Sequence, residues 1–255
     1  MLEIIGRLAL MIVVVYALFG LFLYLFQSSM IYHPDNTDFY ECDYFFEGEF
    51  KEHNGTRFYY QEESEDVVVL YHGNAGRACD RASMISFLPE GYSYALVEYT
   101  GYAGDGESPS KEAILRDAGN MAEFFEGKRV HLFGESIGSS AAAYHSSNSD
   151  SVRSITMIAP FYSLEDYASS RYFMYPVTLL LRENYDTASY LEGYNNRSLI
   201  VHGDNDFVVP LNQSEKLYNS LQGYKERVII EGAGHNNIYG FSEAQDTIRN
   251  FIANS

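Results

Sequence analysis

Gly134-Glu135-Ser136-Ile137-Gly138 sets a serine between two glycines at G-x-S-x-G spacing. A serine hydroxyl is a weak nucleophile at neutral pH and needs a base within hydrogen-bond reach. Glycine two residues to either side suits a turn so tight that side chains there would collide, with the serine presented at its apex. Alone the pattern is weak, because a glycine-rich strand-to-helix turn that binds phosphate looks much the same. The context is stronger: an apolar run, Val130–Phe133, precedes the motif and a helix-forming stretch follows it. The first turn of such a helix offers free N–H groups and a positive dipole to a developing anion. Ile137, directly after Ser136, is therefore one candidate oxyanion donor.

Seven histidines compete for the role of base. His33 adjoins the apolar N-terminal stretch, His53 a hairpin turn, and His131 lies inside a predicted strand. His145 falls late in the helix after Ser136. His72 and His202 end strands, which suits a structural role tying loops together. His235 stands in Gly232-Ala233-Gly234-His235, a flexible loop after the last strand. That loop leaves the sheet edge where open α/β sheets bind ligands, so His235 is the expected base. The acid is expected between serine and histidine in the chain. His202-Gly203-Asp204-Asn205-Asp206 supplies two carboxylates, and Asp206 is preferred because the chain needs a few residues to turn back. A second oxyanion donor is expected in the loop His72-Gly73-Asn74-Ala75-Gly76, with Asn74 the candidate. The two aspartates have no third ligand nearby, so no metal and no cofactor is expected.

These residues need a scaffold that brings them to one edge. Residues 44–62 read as two short strands joined at Asn54-Gly55. Strands then alternate with helices: strands at 67–71, 94–99, 129–133, 152–159, 198–201 and 227–231, and helices at 77–88, 111–126, 137–147, 212–221 and 241–253. Val67–Tyr71 is continuously apolar, as in a strand buried on both faces. The alternation predicts an α/β fold, a mostly parallel doubly wound sheet. Residues 161–195 break the rhythm, are rich in tyrosine and phenylalanine, and read as a short lid insert.

From Leu8 to Phe26 there is no charge. At 1.5 Å per residue this stretch spans about 28 Å, the thickness of a bilayer's hydrocarbon core. Phe26-Gln27-Ser28-Ser29-Met30 makes a poor signal-peptidase site. A retained signal-anchor at 1–30, one transmembrane helix, is expected to precede a catalytic domain at 31–255. Arg7 before the span, with no lysine after it until Lys51, places the domain outside the cytoplasm by the positive-inside rule. Asn54, Asn196 and Asn212 head N-x-S/T sequons compatible with that side. The net charge of −18 argues against nucleic acid as a partner. Cys42 and Cys79 lack metal-type spacing; free thiols are expected slightly ahead of a single disulfide.

In order along the chain these motifs resemble the α/β-hydrolase superfamily. The closer similarity is to single-pass, membrane-anchored α/β-hydrolase-domain proteins related to monoacylglycerol lipases and serine aminopeptidase-like hydrolases. The resemblance is carried by Ile31-Tyr32-His33-Pro34, His72–Gly76, Tyr99-Thr100-Gly101-Tyr102-Ala103-Gly104 with Ser108-Pro109-Ser110, the motif at Ser136, Ala159-Pro160-Phe161 with Ser163-Leu164, His202–Pro210 and Gly234-His235. Thr100 and Glu135 stand where that group often has arginine. The resemblance implies a serine hydrolase acting on esters, thioesters or amides through an acyl-enzyme, and a membrane position makes lipid or small acyl substrates the expectation. One alternative is a serine peptidase, with Glu135 or Glu165 receiving a substrate ammonium group. Another is a catalytically silent scaffold on the same fold.

Overall fold

The computed structural model describes residues 1–45 and 47–255, with Glu47 described in its main chain only. A long apolar helix, α1 (Leu2–Ile31), comes first and is mostly exposed along its length. It is long and apolar enough to cross a membrane. The strands are β1 (His33–Pro34), β2 (Phe50–His53), β3 (Thr56–Gln61), β4 (Asp66–Tyr71), β5 (Ala75–Gly76), β6 (Ser93–Val97), β7 (Arg129–Glu135), β8 (Val152–Ile158), β9 (Arg197–Gly203) and β10 (Lys225–Ile230). The further helices are α2 (Lys111–Phe124), α3 (Gly138–Ser146), α4 (Leu164–Arg171), α5 (Val177–Leu180), α6 (Thr187–Tyr190), α7 (Leu211–Ser220) and α8 (Ser242–Ala253).

Eight strands form one sheet in the order β10-β9-β8-β7-β4-β6-β3-β2. The pairs from β10 through β6 are parallel; β3 pairs antiparallel with both β6 and β2. The β2–β3 hairpin turns at Asn54-Gly55, with φ of 50° and 84°, the two left-handed residues that match the twist of a two-residue hairpin. The strands are shorter than the 44–62 reading, whose portion at Phe46 lies outside the described residues.

Alternation along β4 divides the core between the two faces of the sheet. Val67, Val69 and Tyr71 pack with Ile114, Ala118 and Met121 of α2 and with Ala141–Ala143 of α3. Val68 and Leu70 pack with Ile248, Phe251 and Ile252 of α8 on the other face. A central parallel strand covered on both sides must be apolar at every position. Residues 78–87, expected as an ordinary helix, form a 3₁₀ helix whose entry is held by reciprocal bonds between Arg77 and Asp80. Apolar spacing alone does not separate i+3 from i+4 hydrogen bonding. The expectation of free thiols is corrected: Cys42 and Cys79 form a disulfide, Cα to Cα 5.9 Å. It ties the segment after β1 to that 3₁₀ helix, a proximity no sequence spacing reveals.

Between β8 and β9 the chain leaves the sheet and makes a cap of short helices, α4 to α6. The cap leans on α1. Gln27, a buried polar residue of the mainly apolar α1, donates to the Leu180 carbonyl (3.1 Å) and accepts from the N–H groups of Arg182 (2.7 Å) and Glu183 (3.3 Å). Tyr16 stacks on Tyr175 with centroids 4.4 Å apart.

Candidate active site

β7 ends at Glu135 and α3 begins at Gly138, so the motif forms the sharp turn between a central strand and a helix. Ser136 has φ of 53°, a left-handed value that strains a non-glycine residue and persists only where the surroundings enforce it. The flanking glycines are required by space. A Cβ on Gly134 would lie 2.5 Å from Ser139 Cα, and one on Gly138 would lie 2.2 Å from the Tyr71 carbonyl oxygen. The Ser136 N–H donates to the Ile158 carbonyl at 2.8 Å, which locks the turn to β8. Ser136 is 8% exposed, and its hydroxyl makes no hydrogen bond among the described residues.

β9 and β10 deliver the other candidates. A Cβ on Gly203 would lie 2.1 Å from the Ala233 carbonyl oxygen, so glycine lets the two loops pass in contact. Asn205 N–H donates to that carbonyl at 2.9 Å. Asp204 accepts from Gly232 N–H at 2.7 Å and so fastens the base of the loop. Asp206 turns inward. Its Oδ2 accepts from His235 Nδ1 at 2.7 Å and from His202 Nε2 at 3.0 Å, while Oδ1 accepts from the N–H groups of Val208 and Val209, each at 2.8 Å. Burial alone would raise the Asp206 carboxyl. The hydrogen bonds from His202 and His235, the imidazole charge and the Val209 N–H outweigh it and hold the group well below the ordinary carboxylate range. With Nδ1 donating, a neutral His235 keeps its lone pair on Nε2.

Asp206 and His235 are thus joined directly, whereas no hydrogen bond among the described residues closes Ser136 to His235. The two loops do meet: Glu135 Oε2, one residue before Ser136, accepts from Tyr239 Oη at 3.5 Å, four residues after His235.

The N–H of Ile137 and the N–H of Asn74 find no acceptor among the described residues. The remainder of Asn74 is fixed. Its side-chain amide donates to the Ile31 carbonyl at 2.6 Å, and its own carbonyl accepts from His33 N–H at 2.9 Å and Tyr102 Oη at 2.8 Å. β1 and β5 pair alongside as a small parallel sheet. The loop is therefore rigid, with one N–H left over.

Three features escaped sequence reasoning. Glu135 is clasped by Arg81 through two bonds, 3.0 and 3.1 Å, so the acidic residue beside the serine is neutralised; the partners lie 54 positions apart, and no motif links them. His202 shares the Asp206 carboxylate with His235. Thr100, standing where arginine is common in the similar group, is held by Asp117, whose two oxygens accept from its N–H (2.7 Å) and hydroxyl (3.1 Å). His72 is wholly buried against Tyr99, centroids 4.1 Å apart, and its Nε2 lies 3.5 Å from Glu98 Oε1. A cleft of about 590 Å³ beside the motif is lined by Arg81, Glu135, Asn236 and Tyr239 among others.

A mostly parallel sheet with a strained serine turn at its centre and the Asp206–His235 pair at the same edge defines an α/β-hydrolase. More narrowly, the chain belongs to the prolyl oligopeptidase family (Peptidase_S9), whose profile matches residues 81–251. It is 28% identical over 198 residues to an uncharacterized protein of Mycobacterium tuberculosis, covering 74% of this chain and 70% of that one. It is 26% identical over 235 residues to a lysophosphatidylserine lipase, ABHD12, of Xenopus tropicalis, covering 75% of this chain and 58% of that protein. Among solved structures, an esterase of Pyrococcus furiosus superposes with a TM-score of 0.68 at 15% identity, over 88% of this chain and 98% of that one. The chain is a hydrolase of the α/β-hydrolase superfamily.

Proposed function

We propose that this hydrolase cleaves carboxylic ester or thioester bonds of lipid-like or small acyl substrates through an acyl-enzyme, with Ser136 as nucleophile. The observation that carries the reading is the 2.7 Å bond from His235 Nδ1 to Asp206, in a loop that touches the strained serine turn. Asp206 orients the imidazole and stabilises its charged form. Nε2 takes the Ser136 proton as Oγ attacks the carbonyl carbon. The N–H groups of Ile137 and Asn74 receive the oxygen of the tetrahedral intermediate. The protonated imidazole then gives its proton to the departing alcohol or thiol, and water repeats the cycle on the acyl-serine. Residues 31–255 act as the catalytic domain with 161–195 as its lid, and residues 1–30 act as the membrane anchor. The Cys42–Cys79 bond suits an oxidising compartment, and with Arg7 ahead of the span it favours a domain outside the cytoplasm.

The family match favours a second reading, a serine peptidase. An aminopeptidase needs a free carboxylate for the substrate ammonium. Glu135 is occupied by Arg81, which leaves Glu165, bonded to Thr178 and Asn184 on the cap.

The full-length protein in detergent is treated with a fluorophosphonate probe and assayed on p-nitrophenyl acyl esters and aminoacyl p-nitroanilides. The expected result is labelling of wild type, none of Ser136→Ala, and ester turnover well above anilide turnover. Undiminished labelling of Ser136→Ala removes the nucleophile assignment, and a preference for anilides replaces the esterase with the peptidase.

A further inference from the structure

A second cavity, about 220 Å³, lies between α1 and the cap. Leu23, Met30 and Ile31 of the helix form one wall, and Ala168, Tyr172 and Leu180 of the cap form the other. The wall on the helix side belongs to the segment that is apolar and long enough to cross a bilayer. The tip of the cap follows that helix down to Tyr16, whose hydroxyl donates to the Met174 carbonyl at 2.6 Å. From Ile31 to Tyr16 the helix rises by about 22 Å, so the cap runs beside the middle of the apolar segment. Phe173, Met174 and Leu179 on the cap are 81%, 66% and 79% exposed. Clustered exposed apolar side chains mark a surface that water does not normally cover; beside an anchor helix, lipid covers it.

The cavity is one hydrogen bond removed from the candidate oxyanion loop. Ile31, a lining residue, accepts through its carbonyl the side-chain amide of Asn74, the candidate oxyanion residue. The volume is below the roughly 300 Å³ at which pockets begin to enclose whole drug-sized ligands, which suits one hydrocarbon chain and not two.

We infer that this cavity holds the acyl chain of a single-tailed lipid that enters sideways from the bilayer, and that the anchor helix itself forms part of the substrate site. The inference rests on the esterase reading for its chemistry, though the binding is independent of turnover. Gln27 fixes the two walls together through Leu180, Arg182 and Glu183. Arg182, over the Tyr24 ring at 4.8 Å, adds a cation at the cap–helix seam.

The test uses full-length protein in phosphatidylcholine nanodiscs. Ser136→Ala protein is photolysed with a diazirine-bearing palmitic acid and the cross-linked peptides are mapped. Cross-links are expected on residues 23–31 and on the cap, absent from Leu23→Trp and Ala168→Trp, and retained in Leu21→Trp, which alters the other side of the helix. In the Ser136-containing protein, Leu23→Trp is expected to lower the ratio of kcat/KM for p-nitrophenyl palmitate to that for p-nitrophenyl butyrate at least tenfold, while Leu21→Trp leaves the ratio unchanged. Cross-links elsewhere, cross-links indifferent to Leu23→Trp, or an unchanged ratio in that variant overturns the inference. Cross-linking as expected together with full esterase activity in Ser136→Ala would instead sink the nucleophile assignment and leave the lipid site standing.

Discussion

Replacing Asp206 by asparagine tests the site at its best-defined bond. Asp206 Oδ1 accepts two N–H bonds, from Val208 and Val209, and Oδ2 faces the rings of His235 and His202. An asparagine keeps its carbonyl oxygen toward the two N–H groups, because they can only donate. Its NH₂ then occupies the Oδ2 position and donates toward His235 Nδ1. The imidazole must accept there and carry its proton on Nε2, the nitrogen that has to receive the serine proton. The base is lost with the geometry nearly intact. The equivalent change in serine proteases lowers kcat about 10⁴-fold, or about 5 kcal/mol of barrier, and the same is expected here. His202 retains the Val209 carbonyl at 3.0 Å, so the variant folds, with a stability loss of about 1–3 kcal/mol for the disturbed buried contact. Asp204→Asn is the control, since its Oδ1 can still accept from Gly232 N–H. The assay is kcat on p-nitrophenyl butyrate for full-length protein, with unfolding followed in parallel. A folded Asp206→Asn protein within tenfold of wild type, or an equal loss in Asp204→Asn, would refute the assignment of Asp206 and the tautomer argument with it.

Two further outcomes follow from the scaffold. The Cys42–Cys79 bond closes a loop of 37 positions, and its loss is expected to cost about 4 kcal/mol on chain-entropy grounds. Urea unfolding with and without reductant checks this, and a change below about 1 kcal/mol contradicts it. The second concerns acid. Burial pushes the His145 imidazole down to about 3, with Tyr71 Oη 2.7 Å from its Nδ1. The unfolded chain, titrating near 6.5, then binds a proton that the folded chain refuses, so stability falls as pH drops from about 6.5 toward 3. At about pH 4 the loss from this residue is about 3 kcal/mol. His145→Gln cannot titrate, so its urea midpoint between about pH 7 and pH 4 is expected to decline less steeply than that of wild type; parallel slopes would contradict the assignment.

The fold was legible where local pattern and tertiary demand coincide. Val67–Tyr71 is apolar at every position because both faces are covered, and it is a central strand. Asn54-Gly55 is a residue pair strongly favoured for the two-residue turn it makes. The glycines around Ser136 declare a spatial restriction, since a Cβ at Gly134 or Gly138 would lie 2.5 or 2.2 Å from backbone atoms. Of the site, the residue types and the strand ends could be read, and so could the choice of Asp206 over Asp204 as the residue facing His235. What could not be read are contacts made by long-range closure: Arg81 with Glu135, Cys42 with Cys79, Gln27 with the cap. Each partner alone fits a bland role, and only the folded chain gives them one address. The Ser136 hydroxyl was also not placed by sequence, since its approach to His235, open in this structure, depends on side-chain torsions that no motif encodes.

The ties around Asn74 join what the sequence presented as separate regions. The Ile31 carbonyl at the end of the long apolar helix holds the Asn74 side chain, and His33 and Tyr102 hold its carbonyl. Tyr32, between them, donates to Glu183 at 2.8 Å, and Glu183 accepts in turn from Lys111 N–H at 2.7 Å and is held by Gln27. Burial, then the neighbouring Tyr185 and Glu183, push the Tyr32 hydroxyl far above its ordinary range, so that hydroxyl keeps the proton it donates to Glu183. Consecutive residues, Ile31, Tyr32 and His33, therefore hold the candidate oxyanion loop on one side and the cap on the other. Displacing the cap from the helix would break the bonds of Gln27 and Tyr32 to Leu180, Arg182 and Glu183, at about 1–3 kcal/mol for each buried group left unpaired. The proposed oxyanion donor is thus tied, through the Ile31 carbonyl, to the end of the long apolar helix.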